Sequence, residues 1–251
     1  MRGTHEVRSV LVAALLVLAA TAHAQPPAAS PPAIEPGAIA ALKQMGAYLR
    51  SLASFQVDAL TTEERVLDDG QKVLTDGTVT VLARMPGRLY AEVANDRHER
   101  TYVYDGKTFT LVAKRAGLYA QIEAPPTIAE LSDKLERDYG FGVPLVYLFR
   151  WGGPHWSPDD IKCAIDVGPG VVLGTTCQHY AFRQADVDWQ VWLQKGDFPL
   201  PRRIVITTRT DEARPQYTAS YTWNLAPSFS EDTFAFRAPE GTGRVVLGAV
   251  N

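Results

Sequence analysis

The feature that most constrains this chain is an alternation of apolar and polar side chains at every second residue, clearest from Asp188 to Thr208. Trp189, Val191 and Leu193 interleave with Gln190, Trp192 and Gln194. On the return, Ile204, Ile206 and Thr208 interleave with Arg203, Val205, Thr207 and Arg209. Successive Cβ atoms of a strand point to opposite faces, so the stretch reads as a β-hairpin with one oily and one wetter side. Gly196-Asp197-Phe198-Pro199 separates its strands, because proline cannot donate to a ladder and glycine accepts turn geometry.

The same period runs through most of the chain. Phe55, Val57 and Ala59 begin it, and Val79, Val81, Ala83 and Met85 follow after a turn signal at Asp69-Gly70. Leu89, Ala91 and Val93 come after Pro86-Gly87, then Tyr102 to Tyr104 after Asn95-Asp96. Phe109, Leu111 and Ala113 follow Asp105-Gly106, and Leu118, Ala120 and Ile122 follow Gly117. Beyond residue 160 the pattern resumes at Cys163–Val167, at Val172–Phe182 around a turn at Gly168-Pro169-Gly170, and at Tyr217, Ala219, Tyr221 and Trp223. Phe234 and Phe236 read as a last short edge, and residues 241–251 as a frayed strand. Short turns leave no room for crossover helices, so the strands form an antiparallel meander with one dry face. About ten or eleven strands are expected. A sheet that wide must curl to hide its apolar face. The expected fold is therefore α+β: one strongly curved antiparallel sheet, a half-barrel, closed by helices.

Two helices supply the cover. Ile39, Leu42, Met45, Leu49 and Leu52 recur at three- and four-residue spacing up to Ala53, which gives one apolar stripe. Midway, Thr127 with Glu130 makes a capping-box pattern, and Ile128, Leu131 and Leu135 form a stripe that stops at Gly140. This second helix is the expected lid. A shorter helical piece is expected from Pro144 to Phe149, and Ser157-Pro158-Asp159-Asp160 reads as a short helical turn, where acids suit the helix dipole.

The ends and the cysteines bear on compartment. Arg2 and Arg8 precede an apolar run from Val10 to Ala20, and Ala22-His23-Ala24 is an A-x-A pattern, so residues 1–24 read as a secretory signal peptide cleaved near Ala24. Residues 25–36, rich in Pro and Ala, read as a flexible leader, and 37–251 as a single domain. No later segment approaches the roughly 20 apolar residues of a membrane-spanning helix, so a soluble exported protein is expected. Removing Arg2, Arg8 and Glu6 from 25 basic and 28 acidic residues leaves a formal charge of −4. With no basic run to track phosphates, nucleic acid is not an expected partner. Export permits a disulfide between Cys163 and Cys177, which a loop from Gly168 to Val172 would set opposite each other; two small residues in a strand pair is the other reading.

Catalytic signatures are missing. His98, His155 and His179 fall in no metal-ligand spacing, and no G-x-S-x-G elbow occurs. Gly168-Pro169-Gly170 leads into a strand and so is a turn rather than a dinucleotide loop. His155 and Asp159 are scattered candidates for an enzyme, which ranks behind binding. The reading is a non-enzyme with no metal or cofactor.

The order of short motifs resembles the LolA/LolB-like family of periplasmic lipoprotein carriers. Those motifs are Gly77-Thr78-Val79-Thr80-Val81, Met85-Pro86-Gly87-Arg88-Leu89, Tyr104-Asp105-Gly106-Lys107-Thr108 and the ending Phe234-Ala235-Phe236-Arg237-Ala238-Pro239-Glu240-Gly241. Tyr139-Gly140, Asp188-Trp189-Gln190-Val191-Trp192 and Pro199-Leu200-Pro201-Arg202-Arg203 resemble more closely a group of predicted periplasmic proteins in that superfamily. The resemblance implies a half-barrel with a hydrophobic pocket. Where the carriers have an arginine that couples to cargo release, this chain has Met85, and the adjacent Arg84 should face away from the Val79, Val81 and Ala83 set.

Together these readings point to a periplasmic binding or carrier protein that holds an acyl chain or other apolar ligand between sheet and helices, without covalent chemistry. The first half of the sheet would line the cavity with Val81, Met85, Leu89, Ala91, Phe109 and Leu111. The second half would contribute Trp189, Val191, Ile204, Ile206, Ala219 and Tyr221, and the lid Leu131 and Leu135. The alternative is an envelope interaction or stress-sensor module whose interior is filled and whose partner is a protein, with an exposed apolar patch near Trp151 and Trp156.

Overall fold

Ser54–Val66 (β1) and Lys72–Arg84 (β2) pair along their whole length and form the spine of the sheet. Their turn closes through Gly70, which sits at φ +84° and donates its N–H to the Leu67 carbonyl at 2.8 Å. The computed structural model describes residues 33–153 and 156–250; the expected signal peptide, most of the leader, and His155 lie outside the described residues. From the spine the meander continues through Arg88–Asn95 (β3), Glu99–Tyr104 (β4), Thr108–Ala113 (β5) and Leu118–Glu123 (β6). On the other flank of β1 stand Gln216–Asn224 (β11), Pro201–Thr208 (β10), Val187–Gln194 (β9), Thr175–Arg183 (β8) and Cys163–Val172 (β7). All these ladders are antiparallel. Gly243–Val245 (β12) adds a short parallel edge to β6, so the single sheet has twelve strands and is mixed rather than purely antiparallel.

The curved, open sheet carries its helices on the concave side. Pro36–Ser51 (α1) buries Ala38, Leu42, Met45 and Leu49 and lies against β7. Ile128–Tyr139 (α2) buries Ile128, Leu131 and Leu135 completely. Thr127 caps it: its hydroxyl accepts the Glu130 N–H at 3.2 Å and donates to the Glu130 carboxylate at 2.8 Å. Tyr147–Arg150 (α3) is a single turn, later and shorter than the expected 144–149 piece. Leu145 at φ +54° interrupts the helical path there, a conformation that side chains with a Cβ rarely adopt.

Three expectations are corrected. The turn between β7 and β8 lies at Leu173-Gly174, both at positive φ as a two-residue hairpin turn requires, and not at Gly168–Val172. Gly168-Pro169-Gly170 instead follows a bulge inside β7. The register then pairs Cys163 with Arg183 and Cys177 with Gly170, so the two cysteines are not opposite each other and both thiols are free. Third, Phe234 belongs to a 3-10 turn at Glu231–Phe234 rather than to an edge strand. That turn lies on the convex face beside β3, where the Arg84 guanidinium sits 5.4 Å from the Phe234 ring and Phe234 is fully buried. Arg84 does face away from the concave set.

The two edges are each partly covered by a chain end. Glu35 donates to the Ala164 carbonyl at 2.8 Å and Ala164 to the Ala33 carbonyl at 3.0 Å, which caps the start of β7. At the opposite edge β12 covers β6, and Val250 then donates to the Asp138 carbonyl of α2 at 3.0 Å. Covering an edge removes unpaired ladder groups that would otherwise template association.

Candidate functional site

The opening hairpin sets the floor of the candidate site. Val191 pairs with Ile204 and Trp189 with Ile206, so these four side chains stand on the concave face while Trp192 and Arg203 stand on the convex one. The tryptophans differ as the alternation requires. Trp189 is buried, whereas Trp192 is half-buried and stacked on His179 at 3.9 Å, with Arg203 over its ring.

Above the floor passes the covering segment, described at residues 141–153 and 156–161. Its Gly142, Pro144, Gly152, Gly153 and Pro158 prevent a continuous helix, since glycine costs helix entropy and proline removes a donor. What forms is α3 and a 3-10 turn at Pro158–Asp160, capped by the Ser157 hydroxyl accepting the Asp159 N–H at 3.1 Å. This broken cover leaves a cleft of about 350 Å³. Trp151, Trp156 and Ile161 form its roof; Trp189, Ile204 and Ile206 form its floor. Trp151 stacks over Trp189 at 6.2 Å, and Trp189 over Phe182 at 4.3 Å. The Trp189 indole N–H is satisfied by the Gln184 side-chain oxygen at 3.0 Å, so the ring presents hydrocarbon to the cleft.

The roof is anchored on both sides. Gly46 lets α1 approach closely: a Cβ there would sit 2.9 Å from the Trp151 carbonyl oxygen, and Arg50 donates to that same oxygen at 2.9 Å. Arg150 lines the cleft but spends its guanidinium on α2, reaching Glu136 at 2.7 Å and Asp133 at 3.1 Å. Its pKa is raised, chiefly by the Glu136 hydrogen bond. At the far rim, Arg209 donates to the Gln184 and Ala185 carbonyls at 2.8 and 2.9 Å and holds the β8–β9 turn.

Beside the cleft the hydroxyl of Tyr147 meets that of Tyr221, with Tyr217 next to them. Burial pushes the Tyr147 and Tyr221 hydroxyls well above the ordinary tyrosine value, so both stay protonated. Past this trio lies a second cavity of about 220 Å³, polar in character and lined by Glu63, Asn95, His98, Arg100 and Tyr217 among others. Burial and the neighbouring Arg100 hold the His98 pKa below its usual value.

The residues expected to line a cavity all belong to the core or pack directly on it. Only Trp189, Ile204 and Ile206 of them line the apolar cleft. Val81, Leu89, Ala91 and Phe109 are buried in the core together with Leu131 and Leu135 of α2, and Val191, Ala219 and Tyr221 are buried on the second half of the floor; Met85 and Leu111 are partly buried in the same core. Sequence reasoning missed the roof, Trp151, Trp156 and Ile161, as ligand-facing. Its signal was two tryptophans in a stretch too rich in glycine and proline to be helical. Among the described residues no cluster of three His, Cys, Asp or Glu side chains is placed to hold a metal ion, and no helix is long and apolar enough to cross a membrane.

Residues 38–247 match the model of a family described as predicted periplasmic protein, DUF2092. The chain belongs to this family. Among solved structures, LprF from Mycobacterium bovis is similar at 14% identity and TM-score 0.46, covering 85% of this chain and 100% of that one. MucB in complex with MucA is similar at 12% identity and TM-score 0.42 over 80% of this chain and 60% of that one. A LolA superfamily protein from Nitrosomonas europaea is similar at 9% identity and TM-score 0.35 over 79% and 97%. No curated protein matches the chain. The curved, open sheet with helices on its concave side, expected from the sequence as a half-barrel, is the fold of this DUF2092 member.

Proposed function

We propose that the protein is an exported periplasmic binding protein that holds an acyl chain or other apolar ligand, without covalent chemistry. The observation that carries this reading is the cleft of about 350 Å³ between the 141–161 segment and the β9–β10 floor, walled by Trp151, Trp156, Trp189, Ile161, Ile204 and Ile206. Small-molecule sites span roughly 300–1,000 Å³ and are walled mostly by apolar and aromatic groups with a few polar ones. Gln184, Ser157 and Arg150 are the polar groups here. Affinity would come from burying hydrocarbon, roughly 0.8 kcal/mol per CH₂. Membership of a family described as periplasmic supports the compartment.

Three tryptophans in the walls supply the readout. Titration with a C12 fatty acid should change their emission and saturate, and native mass spectrometry of freshly extracted protein should show co-purified lipid. Silence in both assays overturns the reading. A second reading, an envelope interaction module, is favoured by the solid packing beneath α2 and by Val167 and Val171, exposed on edge strand β7 at 51% and 68%.

A further inference from the structure

The apolar cleft and the polar cavity share one floor. Register places Trp189 opposite Ile206, Ile206 opposite Tyr217, and Tyr217 opposite Glu63, in one unbroken row across β9, β10, β11 and β1. The first two members line the cleft and the last two line the polar cavity. Cross-strand partners stand about 5 Å apart, so the two spaces are neighbours on the same concave surface. One chain segment forms the ceiling of both: Gly142, Pro144 and Leu145 lie over the polar cavity, and Val146 and Tyr147 over the cleft. What divides them is the contact between Tyr147, on that ceiling, and Tyr221 and Tyr217 of the floor.

The polar cavity carries opposed charges. Glu63 lies on the concave parity of β1 with Ala59 and Thr61, and Arg100 on that of β4, opposite Val93. Both are exposed, and among the described residues neither forms an ion pair. Tyr102 and Tyr217 line the same space, and aromatic rings attract ammonium groups. Asp76 also borders the space, but it stands on the convex parity of β2 and its carboxylate accepts from the Thr62 hydroxyl at 3.1 Å. On the concave side, the Glu63 carboxylate, the Arg100 guanidinium and two aromatic rings match a head that carries both charges better than a free carboxylate or a lone cation, each of which would meet one repulsive partner.

Building on the apolar-cleft reading, we infer that the cavity at Glu63 and Arg100 is the headgroup subsite of that same ligand, a single-chain zwitterionic amphiphile whose hydrocarbon lies between Trp151, Trp156 and Trp189. The cationic end of the head would face Glu63 and the anionic end Arg100. Threading the partition requires the Tyr147–Tyr221 contact to open, and Leu145, at φ +54° beside it, holds the ceiling in a disfavoured backbone conformation.

The test uses three amphiphiles with one C12 chain and different heads: dodecylphosphocholine, dodecanoate and dodecyltrimethylammonium, each kept below its micelle-forming concentration. Tryptophan emission of the full mature chain reports binding. The zwitterion should bind about tenfold tighter than either singly charged probe, the size of one charge-assisted contact. Glu63→Gln should erase its advantage over dodecanoate, and Arg100→Gln its advantage over dodecyltrimethylammonium; both sites are exposed and the variants should fold. Equal binding of the three probes, or a preference unmoved by both variants, overturns the headgroup subsite while leaving the cleft reading standing. No binding of any probe to the unaltered protein overturns both.

Discussion

The two halves of the concave face are built from the same alternating strands and end in opposite states. Directly under α2, Leu89 and Phe109 of the floor and Ile128, Leu131 and Leu135 of the helix are all but inaccessible, and the polar cavity opens only beyond the helix, under Gly142, Pro144 and Leu145. Under the 141–161 segment, the floor of β9 and β10 keeps an open cleft. The difference lies in the cover. The twelve residues of α2 present a stripe at positions 128, 131 and 135, one face of a regular helix, which can interdigitate with a pleated floor. Over β9 and β10 the cover is only the single turns Tyr147–Arg150 and Pro158–Asp160, which cannot. An apolar strand face thus becomes core or pocket according to the regularity of what lies over it.

That contrast predicts unequal responses to truncation. Leu135→Ala in the packed half should cost about 2–5 kcal/mol, because transfer and cavity terms add there. Ile206→Ala in the cleft half should cost under about 1.5 kcal/mol, since its side chain already faces a void. Urea unfolding of the two variants measures both, and similar losses would break the comparison.

Enlargement should invert the order in function. Ala91→Leu has no room and should cost about 1–3 kcal/mol. Ile206→Phe should leave the unfolding midpoint nearly unchanged while weakening C12 fatty-acid binding by about tenfold, as the ring occupies the hydrocarbon's space. Retained affinity in Ile206→Phe would move the ligand out of the cleft.

The smallest effect concerns the rim. Asp188 accepts from Arg183 at 2.6 Å and Arg214 at 2.8 Å, and the Arg183 hydrogen bond is the main cause that holds its carboxyl below the ordinary value of 3.8. A lowered folded pKa means stability that is present above the unfolded pKa and lost as pH falls through the folded one. Asp188→Asn should therefore cost under about 1 kcal/mol at neutral pH, as for a solvent-accessible ion pair, and the gap from the unaltered protein should shrink below about pH 4. A gap of equal size at neutral and acid pH would show that the loss is not electrostatic.

Much of this was legible in the sequence, for a local reason. Which side chains of β9 and β10 face the core follows from the alternation of Cβ atoms in any strand, and Trp189 buried against Trp192 half-buried is its direct outcome. The α2 start followed from Thr127 and Glu130, two residues three apart. The errors came where a choice depended on partners far along the chain. Gly168-Pro169-Gly170 looked like a turn, yet the hairpin closes at Leu173-Gly174, because pairing with Thr175–Arg183 and a bulge after Asp166 set the register and so part the cysteines. Phe234 looked like a strand residue, yet the convex surface around Arg84 takes it as a buried plug.

By itself, then, the sequence determined the faces of the strands, the amphipathic covers and the half-barrel they imply, since periodicity is written into the covalent geometry of each residue. Only the tertiary structure decided where that barrel is full and where it is hollow. Volume left between two surfaces depends on how both pack, and the roof over Trp189 comes from residues about thirty to forty positions away in the chain.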